Sequence, residues 1–173
     1  MNKLGLYQEM GFEGFKSIQE LMQNVTLVPK KKGIYLVLWP DEKSPVFVEK
    51  GTGGFFKGKD PNVAICELEK HWIENERILY IGQAGGKVKR KNGDILNNKA
   101  TLQSRIEQYM QFGQGLPKGH YGGRYIWQLA NAKDLIICWK VLIEYDSREE
   151  EKEMIKGFKK EHEGKRPFAN LQD

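Results

Sequence analysis

Gly33-Ile34-Tyr35-Leu36-Val37-Leu38-Trp39 and Ile78-Leu79-Tyr80-Ile81-Gly82 are two short apolar runs, each carrying a tyrosine close to a glycine. The first is an apolar run with β-branched and aromatic members. It is stopped by Pro40-Asp41 and is too short for a typical helix, so it reads as a buried strand. The second has the same character and ends in the Ala84-Gly85-Gly86 break. Each strand sets a tyrosine beside a glycine. Glycine lets another backbone or a phosphate come close, and a phenol offers one donor and two acceptor sites. Taken singly, either tyrosine reads first as a packed strand residue.

Residues 1–32 form an entry segment. Phe15, Ile18, Leu21 and Met22 predict an amphipathic helix over Gly14 to Asn24, closed off by Pro29 and Lys30-Lys31-Lys32. Residues 40–76 are an insertion between the two strands. It carries a candidate short strand at Val46-Phe47-Val48 and a helix opened by Asp60-Pro61-Asn62, with Val63, Ala64, Leu68 and Trp72 on its apolar side. Beyond the second strand, Asn92-Gly93 predicts a small hairpin or tight loop. A helix near Thr101 sets Leu102, Ile106 and Tyr109 on one stripe, and a glycine-rich loop runs from Phe112 to Gly123. After one or two helical turns over Arg124 to Leu129 comes the strongest strand signal, Leu135 to Ile143, in which only Lys140 is charged. Ser147-Arg148-Glu149-Glu150 reads as a capping box for a last helix, which Gly164 and Pro167 stop. This order describes a single α+β domain over residues 1–173.

Composition narrows the classes. With 39% apolar and 29% charged residues the chain suits one ordinary globular core. No window approaches the roughly 18 apolar residues that a membrane span needs. Glu9, Glu13 and Lys16 interrupt any signal-peptide pattern, so the expected location is the cytoplasm, without a membrane partner. Cys66 and Cys138 lack CxxC or histidine spacing and read as buried reduced thiols. The net charge of +5 permits a polyanionic partner without requiring one. Its distribution says more: Lys30-Lys31-Lys32 and the cluster Lys87, Lys89, Arg90 and Lys91 flank the tyrosine strands. Either cluster alone reads as well as solubilising loop charge.

Arg105 and Tyr109 are four residues apart, which sets both side chains on one helix face. In the last helix four glutamates compete, Glu149, Glu150, Glu151 and Glu153. Helix phase separates them. Glu151 precedes Met154, Ile155 and Phe158 by three, four and seven residues, in the middle of the apolar stripe. Attraction to the helix dipole accounts for Glu149 and Glu150 but poorly for Glu151. A carboxylate on an inward face requires a metal or an arginine to offset its burial. His120 is a candidate contact to the substrate strand and Arg124 a candidate phosphate contact, although both read first as fixing their loop.

Together, Gly33-Ile34-Tyr35, Tyr80-Ile81-Gly82, Arg105, Tyr109, Glu151 and Pro167-Phe168-Ala169-Asn170 resemble, in that order, the GIY-YIG nuclease family. The resemblance covers most of the chain from Gly33 to Asn170. It implies a small central antiparallel β-sheet of about three strands flanked by helices, and a metal-dependent endonuclease hydrolysing phosphodiester bonds. The implied partner is nucleic acid, DNA in preference to RNA, with Lys87, Lys89, Arg90, Lys91 and Arg124 contacting it. The implied cofactor is Mg²⁺ or Mn²⁺ held mainly by Glu151, with water and phosphate oxygens completing the shell. Arg105 would neutralise a phosphate oxygen. Tyr35 would take the proton of the attacking water, given cationic neighbours such as lysines to lower its pKa, while Tyr80 and Tyr109 order water and phosphate. Asn170 would brace the site. The assignment between Tyr35 and Tyr80 stays open, as does that between Lys87 and Lys99 as an assisting cation.

The chain departs from the compact family pattern in three places, one of them a glutamate-to-asparagine spacing stretched by a longer last helix. The family's tyrosine strands are joined by a short turn, whereas an insertion separates them here, and Gln83 stands where a lysine often follows the second glycine. No separate DNA-reading module is visible, so specificity falls to the insertions, a protein partner or a homo-oligomer. A non-catalytic nucleic-acid-binding module on the same scaffold is the alternative.

Overall fold

The computed structural model describes residues 3–40 and 42–173. Its elements are α1 (Lys3–Glu9), β1 (Glu13–Ser17), α2 (Ile18–Gln23), β2 (Gly33–Leu38), α3 (Ile65–His71) and β3 (Ile78–Ala84). There follow β4 (Val88–Lys89), β5 (Ile95–Leu96), α4 (Leu102–Gly113), β6 (Ile136–Val141) and α5 (Ser147–Glu161), with a 3-10 segment at Tyr121–Gln128. The main sheet is antiparallel with strand order β1-β6-β2-β3. Every residue of β2 is buried, because it lies between β6 and β3 and both its faces are covered. Tyr35, Val37 and Trp39 join a core with α2 and α4, through Ile18, Leu21, Leu102 and Ile106. Ile34, Leu36 and Leu38 pack on the opposite side with Tyr7 of α1 and Ile155 of α5. Two covered faces explain why the run is continuously apolar rather than alternating.

The sheet has four strands where about three were expected. The fourth, β1, occupies the start of the segment predicted as helix from Gly14 to Asn24. The helical spacing belongs to α2, which starts only at Ile18, behind a capping box in which Ser17 and Glu20 exchange side-chain and backbone hydrogen bonds. Gly14, at φ +94°, admits the edge of the β6 residue Trp139, whose ring a Cβ there would meet at 2.4 Å. At the other end of the chain, the cap of α5 is Asp146 rather than Ser147. Its carboxylate accepts from the amides of Arg148 and Glu149, and as a charged acceptor one residue earlier it displaces the hydroxyl.

The insertion folds back without separating the tyrosine strands. β2 and β3 pair directly, Tyr35 opposite Gly82 and Val37 opposite Tyr80. Closing a long loop costs little more than closing a short one, so the pairing survives. Gln128, 1% exposed, sews the insertion to the 3-10 segment: its amide donates to Val48 O, Glu49 O and Val63 O and accepts from Val63 N. Phe47 forms an isolated bridge with Leu129, where the short strand was expected. The helix expected from Asp60 starts at Ile65, because Asp60 turns back to accept from Asn62. At seven residues α3 is too short to persist alone. Leu68 anchors it in the core, and Trp72 packs edge-on against Trp39 at 5.1 Å and Phe168 at 5.3 Å. Cys138 is buried as expected, but Cys66 is exposed on the outer side of α3. Asn92-Gly93 sits at the turn of the β4–β5 ribbon.

Candidate active site

Strand register decides what Tyr35 can do. Gly82 lies opposite it, and a Cβ there would fall 2.3 Å from Tyr35 Cζ, so the missing side chain is the space the phenol fills. Tyr80, two residues along β3, is the diagonal neighbour of Tyr35 on the same face, with ring centroids 6.0 Å apart. Tyr109 arrives from α4 at 5.3 Å from Tyr80, and its hydroxyl donates to Gly123 O at 2.6 Å. His120 closes the group. Its ring stacks on Tyr109 at 4.4 Å, and its Nε2 lies 3.5 Å from Tyr35 Oη. Four rings from two strands, a helix and a loop thus form one continuous cluster. One turn before Tyr109, Arg105 is half-buried and donates to Gln108 Oε1 at 3.0 Å.

Glu151 reaches the same place from α5, which packs on β3 and β2. Its charge acts on both Tyr35 and Tyr80, as does that of Arg105. Burial raises the Glu151 carboxyl to about 7, against the pull of Arg148, Arg105 and Lys152. The side chain makes no hydrogen bond or ion pair among the described residues. Tyr35 is pushed well above its ordinary pKa, first by burial and next by Tyr80, with Arg105 as the opposing cation. Tyr80 is raised to about 12, first by burial and next by Glu151. The expectation of a lysine-activated Tyr35 is thereby corrected: its cationic neighbour is Arg105, and desolvation outweighs it. His120 is held well below the usual imidazole range, by burial first and Arg105 second.

The remaining candidates sit further out. Asn170 lies at the outer edge of β3, where its amide donates to Ile81 O at 2.9 Å and accepts from Ile81 N at 2.8 Å. β3 is an edge strand, so Asn170 acts as a one-residue strand pairing with groups that would otherwise lack a partner. Gln83 Oε1 accepts from Gly86 N at 2.9 Å and so shapes the turn leaving β3. Lys87, Lys89, Arg90, Lys91 and Lys99 are exposed. Arg124 is half-buried, stacked on Tyr121 at 4.1 Å, and donates to Tyr121 O; its Nε is buried without a partner. His120, read from sequence as a loop-fixing residue, is 2% exposed and central to the site. Its only sequence signal was the aromatic and basic company of Tyr121 and Arg124.

Among the described residues no three His, Cys, Asp or Glu side chains gather into a metal cage. A single half-buried carboxylate without a partner fits the other mode of binding, in which Mg²⁺ takes one protein ligand and keeps water and phosphate oxygens. No family model, curated protein or solved structure matches the chain.

Proposed function

We propose that this chain is a divalent-metal-dependent endonuclease that hydrolyses phosphodiester bonds in DNA, built on a scaffold like that of the GIY-YIG nucleases. The observation carrying this reading is the convergence of Tyr35, Tyr80, Tyr109, Arg105 and Glu151, from four separate elements, on one partly open site. A structural core has no need of an arginine and an unpartnered carboxylate beside three phenols, because burying charge is costly. A phosphate and a cation would satisfy both.

Glu151 would hold the ion, and Mg²⁺ or Mn²⁺, when bound, supplies neutralisation of the scissile phosphate and of the leaving oxygen. Arg105 offers a planar fork to a non-bridging oxygen, which lysine matches less well. Tyr35 and Tyr80 hold the attacking water by hydrogen bonds. Tyr35 is the residue that takes its proton, once substrate and ion bring positive charge to the site. Tyr109, tied to Gly123 O, keeps α4 and the His120 loop in register with β3.

The second reading is a binding module without cutting activity. It is favoured by the neutral Tyr35 phenol and by Gln83, which occupies a turn instead of offering a cation. Supercoiled plasmid incubated with Mg²⁺ or Mn²⁺, beside a Glu151→Gln control, separates the two. Metal-dependent nicking that disappears in the control supports the nuclease. Binding without nicking supports the module.

A further inference from the structure

The residues between β3 and α4 leave the body of the domain. β4 and β5 pair as Val88 with Leu96 and Lys89 with Ile95, and residues 87–97 are all exposed. An isolated hairpin of this size is at best marginally stable in water, and the apolar side chains of Val88, Ile95 and Leu96 face solvent. The ribbon carries Lys87, Lys89, Arg90 and Lys91 against the single carboxylate of Asp94, which Asn92 engages at 2.8 Å. Its root is tied down. Lys87 N donates to Asp146 Oδ2 at 2.9 Å, and Asp146 is the cap of α5.

Ribbon and helix therefore enclose a cleft of about 400 Å³, with Lys87, Lys89 and Ile95 on one wall and Arg148 and Lys152 on the other. The carboxylates there are occupied: Asp146 accepts from three backbone amides, and Glu149 pairs with Lys152 at 3.3 Å. The cleft is left positive. Glu151 stands on the same helix between Arg148 and Lys152.

We propose that the ribbon enters the major groove of a DNA duplex while the cleft at its root grips the adjoining phosphodiester strand beside Glu151. The major groove of B-form DNA, about 12 Å wide, admits a two-stranded β-ribbon. The major groove of an RNA duplex is too deep and narrow for one. The cations complement the phosphates, and Val88 and Leu96, paired on the face opposite Lys89 and Ile95, offer apolar contact to thymine methyl groups. The strand's destination at Glu151 rests on the nuclease reading, whereas binding by the ribbon does not.

The test uses the Glu151→Gln protein without metal, titrated against a short DNA duplex, the RNA duplex of the same sequence and the single DNA strand. The expected result is at least a 10-fold preference for duplex DNA. In the triple variant Lys89→Gln, Arg90→Gln and Lys91→Gln, the slope of log affinity against log salt should fall by about 0.9 for each phosphate that is no longer neutralised. A second variant replaces residues 88–96 with a Gly-Ser linker and should lose the duplex preference altogether. Both variants should keep the parent's thermal transition, since the ribbon leaves the core intact. Unchanged affinity and slope in both overturns the inference, as does equal binding of RNA duplex or single strand. Plasmid nicking by the wild-type chain is scored separately. Its absence sinks the nuclease reading while the ribbon result still stands or falls by binding.

Discussion

Tyr35 Oη lies 3.5 Å from His120 Nε2, and that imidazole is stacked on Tyr109 with ring centroids 4.4 Å apart. Burial and the neighbouring Arg105 keep the ring neutral near pH 7, and burial keeps the Tyr35 phenol protonated. The contact is between two neutral groups. His120 is thus a positioning residue for Tyr35, with one nitrogen toward the phenol and one ring face on Tyr109.

His120→Phe retains a ring to stack and removes the nitrogen. Metal-dependent cleavage should slow about 10-fold, corresponding to about 1.4 kcal/mol in the barrier. KM and the thermal transition should change little. Steady-state kinetics beside a melt checks this. A variant with wild-type kcat reduces His120 to a packing role.

Gly82→Ala addresses the space under Tyr35. The new methyl would meet the ring at 2.3 Å, a contact relieved only by moving the phenol or the strand. Overpacking of this kind costs about 1–3 kcal/mol. Combined with Tyr35→Ala the penalty should be less than additive, because the clash has gone. Urea unfolding of both single variants and the double measures the coupling. Strict additivity would show that the ring and the glycine do not share the space.

Asn170→Ala removes the partner of Ile81 N–H and C=O at the edge of β3. Leaving buried polar groups unpaired costs about 1–3 kcal/mol each. The variant should lose about 2–6 kcal/mol with an unchanged denaturant slope. Native-state hydrogen exchange should show the Ile81 amide released ahead of its neighbours. If Ile81 keeps its protection, the brace is not what holds the strand edge.

The parts of the fold that sequence revealed are those where periodicity and burial agree. The continuous apolar run of β2 and the inward phase of Glu151 belong to elements long enough for their pattern to be unambiguous. β1 escaped because Glu13–Ser17 has no alternating pattern and abuts α2, whose spacing runs on into it. The Ser17-x-x-Glu20 capping box that marks the true start of α2 went unread. His120 escaped for a different reason. Its neighbours are Tyr35 and Tyr109, a strand and a helix remote in sequence, and no local spacing records a contact of that kind. Desolvation escaped as well: the charges around Tyr35 can be guessed from a chain, but how completely the ring is withdrawn from water cannot.

Glu151 provides the pH prediction. Its carboxyl ionises at about 7 in the fold against 4.5 for the free group. Below pH 4.5 both states are protonated and Glu151 has no effect on stability. Between 4.5 and 7 the unfolded chain sheds the proton while the fold retains it, so stability falls as pH rises. Above 7 the full penalty is in place, on the order of 3 kcal/mol. Glu151→Gln abolishes this dependence, so the variant should be more stable than the parent at pH 8 and equal to it below pH 4.5. A divalent ion offsets most of that penalty in the parent, because it binds the ionised carboxylate only in the fold. At about 100 times its dissociation constant it adds about 2.7 kcal/mol to the parent. Melts at pH 8 with and without Mn²⁺ should therefore raise the parent's transition and leave the variant's where it was. An equal rise in both would place the ion away from Glu151, even with the pH dependence as described.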